Sequence, residues 1–157
     1  MFAIAEYQQS LERVAAILRQ LRIRFSLTGG AAFIAYGDPR TTQDVDLVVD
    51  AVQLKASLAQ AISLLQAAGF LVSEATIVDS VGHGRQFQLI DLESTLKLDL
   101  YPRELISGEL SRAVDIEVLP GLILPIVART DLLLSKLIWV SRGSTKSRRD
   151  VKELARL

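Results

Sequence analysis

A chain of 157 residues, half of them hydrophobic, is long enough for one domain with a real core and too apolar for disorder. Without cysteine it forms neither disulfides nor a thiolate metal site. Its formal net charge of zero conceals a segregation: residues 1–128 carry ten Lys/Arg against fifteen Asp/Glu, and residues 129–157 carry eight against three, a −5 body and a +5 tail.

The start, MFAIAEYQQ, lacks the basic and apolar regions of a signal peptide, and a cytoplasmic location is expected. Leu11, Val14, Ala15, Leu18 and Leu21 recur at helical spacing, which predicts an amphipathic helix over 5–22. Residues 24–28 alternate as a short strand, Gly29 and Gly30 permit a sharp turn, and AAFIAY reads as a short helix. Asp38-Pro39 marks a loop. Alternation resumes over 43–49, with Val45, Leu47 and Val49 on one face and Asp44, Asp46 and Val48 on the other.

Asp50 is a suitable N-cap for a long helix over 51–68, and Gly69 stands at the expected C-terminal cap. Residues 70–100 read as strand-rich, with GHG at 82–84 as a hairpin turn. The run TLKLDL points Leu96, Leu98 and Leu100 one way and Thr95, Lys97 and Asp99 the other, and Pro102 ends it. A short helix near 103–111, one or two strands across 113–124, and closing helices at about 129–141 and 145–156 complete the chain. The apolar stretch VLPGLILPIVA carries two prolines and is too short for a membrane span. With no repeat and no linker, one domain over 1–157 is expected, its basic helices at about 129–157.

Asp44 and Asp46 are the chemically loaded pair. In a strand, residues i and i+2 share a face about 7 Å apart along the chain. Two facing carboxylates disfavour each other's charge, and a hard divalent cation relieves them. A third acid would complete a site for two ions about 3.5–4 Å apart. Asp99, on the polar face of a leucine-lined strand, is the best candidate, although a surface-facing strand edge would look the same. Thr28-Gly29-Gly30 lies between a strand and a helix, where unpaired N–H groups and the helix dipole favour an anion. A helix of about 8 residues advances roughly 12 Å, and the following loop can extend about 20 Å. That reach is enough to return Asp44 beside Gly29. Phosphate and metal sites would then be neighbours.

In this combination the sequence resembles the nucleotidyltransferase superfamily of DNA polymerase β type. Two glycines and a short helix precede Arg40-x-Thr42-x-Asp44-x-Asp46, and Leu96-Lys97-Leu98-Asp99 is similar to the strand of the third acid. The tail DLLLSKLIWVSRGSTKSRRDVKEL is similar to the closing helices of small bacterial members related to the abortive-infection (AbiEii-like) toxins. The resemblance implies an α+β minimal nucleotidyltransferase fold, a mixed β-sheet flanked by helices. It implies that Gly29 and Gly30 hold a nucleoside triphosphate through backbone amides, and that Asp44 and Asp46 bind both of two magnesium ions. Asp99 would bind the catalytic ion and help activate the acceptor hydroxyl, and Lys136 would neutralise the β- or γ-phosphate. NMP would pass to the acceptor with release of pyrophosphate. The toxin-like branch favours an RNA 3′ end, such as a tRNA acceptor stem, with a cognate antitoxin as partner. A small antibiotic hydroxyl, a protein side chain, or a catalytically inactive binding module are the alternatives. Two departures stand out: many members have Gly-Ser where this chain has Gly29-Gly30, and relatives often have Lys-Asp where it has Arg149-Asp150.

Each singled-out residue also has a bland reading. Arg40 and Thr42 orient the acids or touch phosphate, or simply solvate a loop and enter a strand. Lys136 sits among leucines, where a lysine can snorkel. Arg142, Lys146, Arg148, Arg149 and Lys152 either grip an RNA backbone or form a solvated face, and Asp150 would pair with one of the arginines. His83, the sole histidine, is expected as a solvated turn residue, and Phe87 and Trp139 as core aromatics. Neither GxGxxG nor a Walker A motif occurs, which excludes those nucleotide-binding modes.

Overall fold

The computed structural model describes residues 4–36 and 44–156. Helix α1 (Ile4–Gln20) buries Leu11, Val14, Ala15 and Leu18 at the expected spacing. Strand β1 (Phe25–Thr28) follows, then α2 (Gly29–Tyr36), whose first residues are the two glycines themselves. Strand β2 (Asp44–Val49) runs antiparallel to β1. The loop expected around Asp38-Pro39, with Arg40, Thr42 and Gln43, lies outside the described residues.

Asp50 is an N-cap, accepting from the backbone N–H groups of Val52 and Gln53 and from Arg24. The expected helix over 51–68 is broken at Ser57 into α3 (Ala51–Ala56) and α4 (Leu58–Ala67). The Ser57 N–H bonds to Leu54 instead of continuing the i−4 ladder. The break lets α3 meet the following helix while α4 packs on α1 and the next strand. One periodic run of apolar residues thus serves two surfaces.

Beyond the short strand β3 (Phe70–Leu71), residues expected as strand form α5 (Glu74–Gly82), capped by Ser73, which accepts from Thr76 N–H. Thr76, Ile77, Val78 and Val81 look strand-like because they are β-branched. Ile77, Ser80 and Val81 nevertheless bury at helical spacing. GHG is therefore a helix exit, with His83 exposed at its C-cap, and not a hairpin turn. The hairpin joins β4 (Phe87–Asp91) to β5 (Lys97–Tyr101), which ends at Pro102. Helix α6 (Glu109–Arg112) is shorter than expected, because Glu109 accepts the backbone N–H groups of Leu105 and Ile106 and Glu104 those of Gly108 and Leu110, in a turn. Strands β6 (Val114–Leu119) and β7 (Leu122–Ile126) form a hairpin. Helices α7 (Arg129–Ser141) and α8 (Thr145–Leu154) close the chain.

The strands form one seven-stranded mixed sheet in the order β3-β4-β5-β2-β1-β7-β6. Among the described residues only β1 with β7 and β2 with β5 pair in parallel. Phe33, Val45, Leu47, Leu98, Leu100, Ile126 and Leu132 are fully buried, so the central strands are anchored by their apolar faces. Period-two alternation then commits their polar residues to the opposite face. Among the described residues no helix is long and apolar enough to cross a membrane.

Candidate active site

The polar residues of four adjacent strands line up. Thr28 of β1 is in register with Asp46 of β2, Asp46 with Asp99 of β5, and Asp99 with Gln88 of β4. Asp44 stands two residues before Asp46, exposed and opposite Lys97. Parallel pairing of β2 with β5 makes the two acids neighbours, and the leucines between them fix the register because a one-residue slip would expose that core.

Gly29 abuts this row. At φ +62° it opens α2 in a backbone conformation that suits glycine, and a Cβ there would lie 2.1 Å from Asp46 Oδ2. Glycine is thus required twice, by the turn and by the carboxylate. Gly30 follows, half-buried in the first turn of α2.

The electrostatics follow from the alignment. The Asp46 carboxyl is raised above its ordinary value by burial and by the charge of Asp99, with a smaller push from Asp44. Tyr101, two residues beyond Asp99, donates its hydroxyl to Asp46 Oδ1 at 3.3 Å, and this bond and the charge of Lys136 oppose the rise. Burial and the charges of Asp46 and Asp99 push the Tyr101 hydroxyl up in turn. Tyr7 of α1 also feels the site: burial and the Asp46 charge push its hydroxyl up to about 12. Gln88 Nε2 donates to Asp99 Oδ1 at 2.9 Å.

Lys136 is buried on α7, and its Nζ lies 2.9 Å from Asp150 Oδ2 of α8. Lys136 is thus an ion-pair partner of Asp150, which shares the buried face of α8 with Ser147 and Leu154. That face packs on α7. Arg142, Lys146, Arg148, Arg149 and Lys152 are exposed. Phe87 is core as expected, but Trp139 is 43 % exposed. Arg40 and Thr42 lie outside the described residues.

Sequence reasoning missed Gln88, Tyr101 and Tyr7. Gln88 and Tyr101 fall on the polar parity of their strands, a signal that does not distinguish a site from a solvated face. Tyr7 lies on a helix remote in sequence and carries no local signal.

Among the described residues no three His, Cys, Asp or Glu side chains are gathered closely enough to make a ready-made metal cage. The donor chemistry still fits a hard cation that arrives with phosphate. The donors are carboxylate oxygens, and Asp46 has a raised carboxyl beside Asp99, where added positive charge is relieving. Asp46, Asp99 and Asp44 are the residues that could hold it.

The family model described as "Nucleotidyl transferase AbiEii toxin, Type IV TA system" matches residues 11–154. Among solved structures, the lincosamide antibiotic adenylyltransferase LnuA is 16% identical with a TM-score of 0.59, covering 92% of this chain and 94% of that one. The antibiotic-resistance factor ANT(2'')-Ia is 13% identical with a TM-score of 0.61, covering 95% and 83%. An antigenic nucleotidyltransferase-like protein from Paracoccidioides brasiliensis is 20% identical with a TM-score of 0.56, covering 93% and 74%. These likenesses are of fold, and the mixed sheet flanked by helices is the one expected. No curated protein is similar enough in sequence to count as a match. With the family model spanning nearly all of it, the chain belongs to the AbiEii nucleotidyltransferase toxin family.

Proposed function

We propose that this nucleotidyltransferase moves NMP from a nucleoside triphosphate to the 3′ hydroxyl of an RNA, a tRNA acceptor end in particular, with Asp44, Asp46 and Asp99 holding magnesium. The alignment of Gly29, Asp46 and Asp99 across β1–α2, β2 and β5 carries this reading. Gly29 and Gly30 bring backbone N–H groups and the positive end of α2 to the triphosphate without a side chain in the way. Arg40 and Thr42, which precede Asp44, are proposed to contact the nucleotide as well. Lys136 contributes positive charge toward the β- or γ-phosphate, oriented by Asp150.

Magnesium, when bound, would lower the pKa of the acceptor hydroxyl and stabilise charge on the entering and leaving oxygens. Asp99 would help activate the hydroxyl by accepting its proton. The hydroxyl oxygen then bonds to the α-phosphorus, the bond from that phosphorus to the bridging oxygen breaks, and pyrophosphate leaves. Gln88 and Tyr101 hold one oxygen of Asp99 and one of Asp46, which limits how the carboxylates turn.

The RNA acceptor is supported by the family and by the +5 tail. An antibiotic hydroxyl is the second reading, favoured by the fold neighbours that are described as antibiotic enzymes. A cytoplasmic protein with a cognate antitoxin as partner is part of the same proposal.

A labelled-transfer screen separates these readings. Each of the four labelled NTPs is incubated with magnesium and, in parallel, bulk tRNA, an aminoglycoside or lincosamide, and protein. Label on RNA is expected, lost with EDTA and reduced at least about a hundredfold in Asp44→Ala and Asp46→Ala. Label on the antibiotic or protein alone would move the acceptor. No transfer anywhere, with nucleotide binding unaffected by loss of the acids, would replace the reading with an inactive binding module.

A further inference from the structure

We propose that Trp139 and Arg142 form a stacking platform for an unpaired nucleobase of a single-stranded acceptor, an inference that rests on the RNA reading above. Tryptophan is usually well buried, yet Trp139 is 43 % exposed, and the Arg142 guanidinium lies over its ring, 5.4 Å from the centroid. An arginine stacked on an indole leaves a broad cationic and aromatic surface. The end of α7 is tied down beneath it: the Arg142 N–H bonds to the carbonyls of Ile138 and Trp139, and the Ser144 N–H to that of Trp139.

The platform's position is functional. Lys136 and Trp139 are i and i+3 on one helix, about 60° apart around it with Cβ atoms about 5–6 Å apart, and the Lys136 charge reaches Asp46. After the turn at Gly143, α8 buries Ser147, Asp150 and Leu154 and exposes Lys146, Arg148, Arg149 and Lys152. An aromatic face that carries an exposed cation, followed in the chain by a helix with four more, is a combination that suits single strands, with phosphates on cations and a base on the ring.

Exposed Leu134 and Leu137 do not make the indole part of an apolar docking face. On a helix of 3.6 residues per turn, Trp139 lies roughly 140–160° from both. Its exposed companion is Arg142, which fits a polyanion with an aromatic base.

Trp139 is the sole tryptophan, so its emission reports on the platform alone. The intact chain is titrated, without NTP, with a short single-stranded RNA and with the same RNA annealed to its complement. Saturable quenching by the single strand is expected, with much less from the duplex, whose bases are already stacked. By anisotropy of the labelled strand, Trp139→Leu should weaken binding roughly 5- to 150-fold while Trp139→Phe, which retains a ring, loses far less. Circular dichroism confirms that both variants fold.

RNA binding without quenching, equal binding by wild type and Trp139→Leu, or equal quenching by the duplex would overturn the proposal. Saturable quenching by ATP alone would also overturn it, assigning the ring to the donor nucleotide. Quenching by single-stranded RNA in a chain that transfers no label supports the platform and defeats the catalytic reading. Transfer of label to RNA without quenching does the reverse.

Discussion

Gly29→Ala is the substitution whose effect follows most directly from the geometry. The new Cβ would stand 2.1 Å from Asp46 Oδ2 and 2.8 Å from its Cγ, whereas ordinary contact begins at 3.4 Å. Holding alanine at φ +62° disfavours the fold by about 1–2 kcal/mol. Turning the Asp46 side chain away from its rotamer adds about 0.5–1.5 kcal/mol. A total near 2–3 kcal/mol corresponds to a fall in Tm of about 4–12 °C for a chain of this size. Thermal unfolding by circular dichroism measures it.

The decisive comparison repeats the substitution in an Asp46→Ala background, where Oδ2 and Cγ are gone and only the residue-46 Cβ, 3.1 Å away, must give by a few tenths of an ångström. The backbone penalty of about 1–2 kcal/mol then dominates, so the two changes should couple by about 0.5–1.5 kcal/mol. Gly82→Ala serves as a control: nothing lies within 4 Å of the added Cβ, and it should be neutral or stabilising by up to about 1 kcal/mol. Transfer activity should fall about a hundredfold in Gly29→Ala, because a displacement of about 1 Å at a reacting centre has that effect. Equal loss of stability in the two backgrounds would refute the idea that Gly29 exists to make room for the carboxylate.

Asp46→Asn should stabilise the chain at neutral pH. The raised carboxyl makes its ionised form unfavourable in the folded state, so the gain is full above the folded pKa and disappears as pH falls through it toward the ordinary value of 3.8, a trend that urea melts across pH will reveal. Asp91 has the opposite sign: burial would raise it, but bonds from Ser10, the Glu93 N–H and Ser94, with Arg13 alongside, hold it below 3.8. Ser10→Ala should therefore destabilise by about 1–3 kcal/mol at neutral pH, a deficit that closes as pH falls below 3.8 through the depressed value. Asp150→Ala leaves Lys136 buried without its ion-pair partner and should lower stability by about 3–5 kcal/mol, whereas Lys136→Met with Asp150→Leu should recover most of it in calorimetry. Reversing Arg148 and Arg149 to glutamate should weaken RNA binding and flatten its dependence on salt, as read by anisotropy over a salt series; an unchanged slope would remove these residues from the contact.

The parts legible in the sequence were those carried by parity. Asp44, Asp46 and Asp99 stand at alternate positions of apolar strands, so the buried leucines and valines dictate their face before any tertiary contact is known. Which strands would be neighbours was not legible in the same way. The register of Asp99 with Asp46 depends on β2 and β5 pairing in parallel across about fifty residues of intervening chain, and parity, which singles out Asp99, carries no sign of that pairing. Misreadings arose where two physical rules compete. In α5 the β-branched residues suggest strand, but the cap at Ser73 and burial at i, i+3 and i+4 prevail. At Ser57 a continuous periodic pattern hid a change of packing partner. Trp139 was misjudged because aromatic residues are usually core, and no local feature reveals which side of α7 lacks a cover.

The contact between Gly29 and Asp46 joins the two halves of the site into one mechanical unit. Tyr101 engages Oδ1 of Asp46, while Oδ2 faces the glycine. The carboxylate is thus held from β5 on one side and bounded by the start of α2 on the other. A phosphate approaching the α2 N-terminus must pass close to an acid whose ionisation burial and Asp99 already disfavour. Such a site repels its substrate unless positive charge comes with it. Lys136 supplies some, but its pairing with Asp150 spends part of that charge inside the protein. The exposed cations of α8 lie on the opposite face of the helix that holds Asp150. On the proposed RNA reading, affinity for the polyanion and the chemistry at its end would fall to different surfaces, so salt should govern the first and loss of the acids the second.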